Sequence, residues 1–227
     1  MKMAELPSAP LLGGEIDHAT PMAEHVSCRA GGAAAHSYKP RDAADLANFL
    51  RSLEPGAPIL FVGLGSNLLV RDGGFPGWVV LLHGALTDMR VEQHIDGLYL
   101  FVEAGVPSPK VARFAALNHL LGAEFLAGIP GTLGGALAMN AGCYDAETWP
   151  LVATVTTIDR AGVMRERTPS EFRVGYRTVE PATPREEWFI AARLRLRGGD
   201  SDAARARIKE LLQRRAASQP LNLPNAG

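Results

Sequence analysis

Gly128-Ile129-Pro130-Gly131-Thr132-Leu133-Gly134-Gly135-Ala136-Leu137-Ala138-Met139-Asn140-Ala141-Gly142 is the stretch from which the fold of this chain is best approached. Nearly every side chain in it is small. Glycine lets another group come close to the backbone and permits positive φ. Pro130 stiffens the first turn. A run of this kind presents successive N–H groups, the means by which a loop or helix start holds a pyrophosphate. An isolated glycine pair marks a tight turn between packed elements. A run of this length, ending in Met139-Asn140-Ala141, points to a ligand.

A second glycine loop stands earlier, Gly63-Leu64-Gly65-Ser66-Asn67-Leu68. It starts like a dinucleotide fingerprint, but Leu68 occupies the place of the third glycine, so it is not a standard Rossmann turn. Neither loop continues into Gly-Lys-Ser/Thr, which excludes a P-loop. Ser66 and Asn67 offer a hydroxyl and an amide suited to phosphate oxygens; the same residues also cap turns.

These two loops, with Leu69-Val70 and Asp72-Gly73-Gly74-Phe75 after the first, resemble the flavin signature of the UDP-N-acetylenolpyruvoylglucosamine reductases. The resemblance runs from about Pro21 to the last residue, and Arg29-Gly31-Gly32 matches its opening. It implies an α+β chain with the two-subdomain FAD-binding fold of the vanillyl-alcohol-oxidase/PCMH type. In that fold a small α/β piece and a larger five-stranded sheet hold FAD between them. The expected division is an irregular arm over 1–20, a small subdomain over 21–77, a larger one over 78–218 and a linker start over 219–227. The boundary falls near Arg71–Gly84.

The resemblance also assigns residues. The FAD contacts are expected at Gly63, Gly65, Ser66, Asn67, Leu68, Gly105, Gly128, Ile129, Pro130, Gly131, Thr132, Gly134, Gly135, Asn140 and Ala141. No His or Cys in a glycine loop suggests a covalent tether, so FAD is expected to be non-covalent. In the resembling enzymes NADPH reduces the flavin, and an enolpyruvyl nucleotide sugar then takes the hydride and becomes UDP-N-acetylmuramate for peptidoglycan. The family's Tyr-Arg pair matches Tyr176-Arg177. By that match Arg177 polarises the substrate carboxylate, a task suited to a permanently charged planar guanidinium, and Tyr176 contacts substrate or nicotinamide. Without the resemblance, Tyr-Arg reads as a strand-edge pair. The chain stops at Asn225-Ala226-Gly227, where the family continues into the Ser that protonates the substrate. The resemblance therefore implies a truncated reductase, without that Ser, a late Glu and the substrate-binding domain. Two other readings are a flavin oxidase of the same fold and a non-catalytic FAD-binding module.

Composition narrows the rest. A chain of 227 residues with 47% hydrophobic and 21% charged residues can fill one large or two small domains. The net charge of −1 makes no case for nucleic acid. No apolar run approaches the roughly 20 residues of a membrane span, and no signal peptide is evident at the start. Cys28 and Cys143 form no disulfide framework, and the six His show no spacing of a metal site. The expectation is a cytoplasmic monomer whose partner is a small molecule.

The remaining elements follow from pattern. Strands are expected at Ala35–Tyr38, Ile59–Val62, Leu68–Val70, Trp78–Leu82, Leu98–Glu103 and Trp188–Leu196, with a hairpin of Val152–Asp159 and Val163–Arg167. Asp42 caps a helix to about Leu53, with Leu46, Phe49, Leu50 and Leu53 on one face. A second helix runs from Pro109 to about Leu121, with Val111, Phe114, Leu117 and Leu121 as its buried stripe. Thr168-Pro169-Ser170-Glu171 is a capping box. Asp200 or Ser201 caps a last helix to about Ala217, its inner edge Ile208, Leu211 and Leu212.

Overall fold

Asp42 does begin the first helix. In the computed structural model, which describes residues 12–218, its carboxylate accepts the Asp45 N–H at 2.8 Å. Strands β1 (Glu15–Pro21) and β2 (Ala33–Lys39), helix α1 (Ala43–Ser52), and strands β3 (Ile59–Val62) and β4 (Phe75–Leu81) make the first layer pair. The sheet order is β1-β2-β4-β3. β2, β4 and β3 are parallel, so their carboxyl ends, Lys39, Leu81 and Val62, lie at one edge. α1 buries Leu46, Phe49 and Leu50 at helical spacing, and Phe49 stacks on Tyr38 at 3.9 Å between ring centroids. Each such side chain contributes about 1.5–3 kcal/mol when fully buried.

The expected irregular arm is overturned from Glu15 onward, because Glu15–Pro21 is a strand antiparallel to β2. Its residues are mostly exposed and carry no apolar alternation. What orders it is the open edge of β2 and a buried carboxylate. Asp45, 2% exposed, accepts the Gly13 N–H at 2.6 Å, the Arg41 N–H at 2.9 Å and the Tyr38 hydroxyl at 2.5 Å. Pro7, Pro10 and the linker expected over 219–227 lie outside the described residues.

The second layer pair begins with β5 (Met89–His94) and β6 (Gly97–Glu103), then α2 (Ser108–Leu117), β7 (Leu120–Leu121) and a short helix α3 (Leu133–Ala138). A small ribbon, β8 (Gly142–Cys143) and β9 (Ala146–Glu147), precedes the hairpin β10 (Val152–Asp159) and β11 (Met164–Arg167). A second hairpin, β12 (Phe172–Gly175) and β13 (Thr178–Pro181), leads to the long strand β14 (Glu187–Gly198) and helix α4 (Ser201–Ser218). The main path is β11-β10-β14-β6-β5, five strands as expected, with β7 added beside β14. The capping box holds, since the Thr168 N–H donates to Glu171 at 2.8 Å. Asp200 is the cap of α4, accepting the Asp202 N–H at 2.9 Å.

Two elements differ from expectation. Leu68–Val70 is not a strand, and Leu69 is 73% exposed. α2 ends at Leu117, not Leu121, because His119 takes a left-handed φ of 57° and turns the chain back. Leu117 is consequently exposed, while Leu120 and Leu121 pair with β14. The two sheets share a core. Leu46, Leu50 and Val80 from the first pack with Leu86, Ala104, Ile158 and Ile190 from the second. The division expected at 77/78 falls inside β4, whose residues Trp78–Leu81 pair with β2 and β3, so the first sheet continues to Leu81. No helix among the described residues is long and apolar enough to cross a membrane.

Candidate active site

The two glycine loops meet. The Ser66 hydroxyl donates to the Pro130 carbonyl at 2.9 Å, across 64 residues of sequence. Gly63 lies so close to Thr132 that a Cβ there would collide with the threonine side chain. Gly131, at φ 121°, faces Ser66, whose Oγ would be 2.9 Å from a Cβ. Gly65, at φ 59°, packs against the His25 carbonyl, and its own carbonyl accepts the Ser27 N–H at 3.1 Å. Glycine stands at these positions because side chains of the partner loop, at Gly63 and Gly131, or the His25 backbone, at Gly65, fill the space a Cβ would take.

The fate of each N–H shows what the loops can hold. The Leu133 and Gly134 N–H groups are taken by the carbonyls of Val106 and Ala104, at 2.8 and 2.9 Å. These bonds, with Ser108 N–H to Gly131 at 2.9 Å, fasten the run to the strand end after β6. Among the described residues, the N–H groups of Gly65, Ser66, Asn67, Gly131 and Thr132 have no acceptor. Gly65 and Thr132 are buried and Ser66 and Gly131 half-buried, and donors so placed require a partner; Asn67 is exposed. Gly135 is exposed, with nothing within 4 Å of where its Cβ would be. The residues therefore fit an anionic ligand laid along the backbone, as the pyrophosphate of FAD would be.

Other expected contacts are buried in packing. Gly105 is tucked beneath the Leu82 and Ala85 carbonyls, and Gly134 against Ala104. Gly128 meets the Tyr144 ring, 2.5 Å from a built Cβ, and its carbonyl accepts from Arg215 at 2.9 Å. Ile129 and Ala141 are buried. Pro130 is exposed beside the Ser66 contact, as are Asn67 and the half-exposed Leu68.

Two clefts flank this junction. One, of ≈ 480 Å³, lies at the carboxyl ends of the parallel strands, where Lys39, Gly63, Leu64, Leu81 and His83 line it with His25 and Ser27. Open α/β sheets receive ligands at that edge. The other, of ≈ 510 Å³, is lined by Asn140, Gly142, Cys143, Asp145, Ala146, Glu147, Tyr176 and Arg177. The glycine run thus meets the first loop at Pro130–Thr132 and reaches the second cleft at Asn140 and Gly142. Tyr176 and Arg177 are the two-residue turn between β12 and β13. Tyr176 is 82% exposed, Arg177 has φ 54°, and its Nη2 donates to the Gly142 carbonyl at 3.3 Å. The guanidinium carbon lies 5.6 Å from the Tyr176 ring centre. Burial pushes the Cys143 thiol up to about 11, and its Sγ donates to the Phe125 carbonyl at 3.1 Å, so it stays neutral.

An FAD binding domain family matches residues 34–166, more than half of the chain. The UDP-N-acetylenolpyruvoylglucosamine reductase of Thiobacillus denitrificans is 52% identical, covering 97% of this chain and 71% of its own length. The Nitrosomonas eutropha enzyme of that name is 52% identical over 96% and 67%.

The chain belongs to the UDP-N-acetylenolpyruvoylglucosamine reductase family.

Among solved structures, the reductase from Thermus caldophilus superimposes with a TM-score of 0.76 at 27% identity, covering 96% of this chain and 74% of that one. Cholesterol oxidase from B. sterolicum gives 0.59 at 11% identity, covering 87% and 40%, which speaks for the fold alone. Family membership and these likenesses make the α+β, two-part FAD-binding fold a plain fact of the chain. Sequence reasoning missed Lys39, His25, His83 and Glu147 as site-lining residues. Lys39 ends a parallel strand, so the strand-end rule could have found it. His25 and His83 come from turns, and Glu147 from a two-residue strand, with no pattern of their own.

Proposed function

We propose that this chain binds FAD non-covalently and carries the flavin centre of a reductase that converts UDP-N-acetylglucosamine enolpyruvate to UDP-N-acetylmuramate with NADPH. This serves peptidoglycan precursor synthesis. The observation that carries the reading is the continuity of one glycine run, from the unclaimed N–H donors beside Ser66 to the cleft of Tyr176 and Arg177. Family membership supports the substrate class.

Bound FAD supplies the hydride chemistry. The chain's own contribution is geometric and electrostatic. The N–H groups of Gly65, Ser66, Asn67, Gly131 and Thr132 hold pyrophosphate oxygens. Arg177 holds the substrate carboxylate in the second cleft as negative charge grows on it, and the flat Tyr176 ring offers a face to the sugar nucleotide or to nicotinamide. A rim of that kind stabilises charge only where the guanidinium is already aimed, since reorganising it during the reaction costs rate.

The test is direct. Purified protein should be yellow and release all its flavin on denaturation; flavin retained by the unfolded polypeptide contradicts non-covalent binding. In a chain extended past Gly227 to carry the family's Ser, NADPH-reduced flavin should be reoxidised faster by the enolpyruvyl nucleotide sugar than by oxygen; the reverse order favours an oxidase.

A further inference from the structure

Asn140 was expected to touch FAD, yet its amide is engaged entirely within the protein. Its Nδ2 donates to the Gly175 carbonyl at 3.2 Å and to Glu147 Oε2 at 2.9 Å. Its Oδ1 accepts the Trp149 N–H at 3.2 Å. The residue is 3% exposed and has φ 39°.

Its place follows from how α3 ends. The Ala141 N–H reaches the Ala136 carbonyl at 2.9 Å and the Asn140 N–H reaches Leu137 at 3.4 Å. That is the helix stop in which the residue after the cap is left-handed, a position that Asn tolerates where most side chains do not. The stop turns the Asn140 side chain toward Gly175, the residue immediately before Tyr176-Arg177. Two residues further on, the Gly142 carbonyl accepts from Arg177 itself. The corner 140–142 therefore grips the Tyr176-Arg177 turn at two points. The β12–β13 hairpin joins no larger sheet; Phe172 and Val179 pack its base on the core, and a two-stranded hairpin has little stability alone, so the corner steadies its turn.

We propose that Asn140 is a positioning residue. It ties the end of the flavin run to the turn bearing Arg177, and so sets where that guanidinium meets the carboxylate of the sugar-nucleotide substrate. This rests on the function proposed above for Arg177. Glu147 is part of the same clamp, since it accepts from Asn140 and pairs with Gly142 across the small ribbon.

The substitution Asn140→Asp tests the clamp. It keeps the shape and the tolerance of left-handed φ, but an ionised carboxylate cannot donate to Gly175 and faces the Glu147 carboxylate. Once protonated, the same group donates again. Hydrogen-exchange protection of the amides in 172–181 is the readout, and it needs neither flavin nor substrate. Protection in the variant should fall about tenfold at pH 8, the equivalent of one lost hydrogen bond, and recover towards wild type near pH 5, while wild type shows no such recovery. FAD stoichiometry should stay at the wild-type value. In Asn140→Asp combined with Glu147→Gln the repulsion is gone but the Gly175 donor is still missing, so the hairpin should remain loosened even if the single variant folds poorly.

Unchanged hairpin protection overturns the proposal, as does full protection in the double variant at pH 8. Lost flavin with an unchanged hairpin also overturns it, placing Asn140 in the cofactor cradle. If wild type fails to bind FAD at all, the functional reading falls, while the exchange data still decide the role of Asn140.

Discussion

The loop 63–68 and the run 128–142 look alike in sequence and behave differently in the fold. The first follows a parallel strand, is mostly half-buried with Asn67 exposed, and leaves the N–H groups of Gly65, Ser66 and Asn67 without acceptors among the described residues. The second spends Leu133 and Gly134 on Val106 and Ala104 and buries Gly128 and Ile129; among the described residues Gly131, Thr132 and the exposed Gly135 keep N–H groups without acceptors, the first two where it meets the first loop. A glycine-rich run is therefore not uniformly a ligand cradle. The part open to a ligand under the proposed function is the part whose donors the fold has left unclaimed, and the remainder uses glycine to let neighbouring groups pack close.

The junction should be the most sensitive point. Gly131→Val places a branched side chain at φ 121°, against Ser66. A non-glycine residue held there costs about 1–3 kcal/mol in strain alone, so FAD affinity should fall by about 100-fold or more. Flavin titration followed by fluorescence measures it, and unchanged affinity would remove the junction from the site.

Arg177→Lys probes the far end of the run. In a chain extended past Gly227 to carry the family's Ser, it keeps the charge and loses the planar fork, so FAD uptake and reduction by NADPH should be largely unchanged while reduction of the enolpyruvyl substrate slows by about 100-fold, as for one lost charge-stabilising donor. Stopped-flow absorbance separates the two half-reactions; equal slowing of both would make Arg177 structural.

Asp45→Asn tests the scaffold beneath the first loop. The buried carboxylate accepts from Gly13, Arg41 and Tyr38, and weakening that set should cost about 2 kcal/mol of stability without altering FAD affinity measured on the folded protein. Burial alone would raise the Asp45 pKa, but the bonds from Tyr38, Arg41 and Gly13 outweigh it and hold the group below its ordinary value. A depressed carboxyl contributes stability above the unfolded carboxylate's pKa and loses it as pH falls through the folded one. Wild type should therefore lose this contribution on acidification below about pH 4, and the variant should show a flatter acid limb in chemical denaturation.

Ser66→Ala should have the smallest effect. It removes the Ser66–Pro130 bond between the loops, at about 1 kcal/mol, and a fall in FAD affinity of about fivefold is expected in the same titration. A fall as large as that of Gly131→Val would mean that Ser66 also holds the ligand.

What was legible in the sequence is what local chemistry dictates. Asp42 and Asp200 cap helices because a short side-chain oxygen can reach the next N–H groups, and Ile59–Val62 is a strand because apolar residues run straight into a glycine turn. The two glycine loops announced a ligand because few other uses require so many small residues. Tertiary structure alone decided the rest. Glu15–Pro21 has no apolar alternation and becomes a strand only because β2 offers a free edge and Asp45 waits for Gly13. His119 ends α2 early by adopting a left-handed backbone that no pattern foretold. Asn140 looks like one more residue of a ligand loop, and only the approach of Gly175 and Glu147, distant or unpatterned in the chain, turns its amide inward. Hydrogen-bond partners far apart in sequence leave no periodic trace, so which donor is claimed by the fold and which remains for a ligand is settled only when the chain has closed on itself.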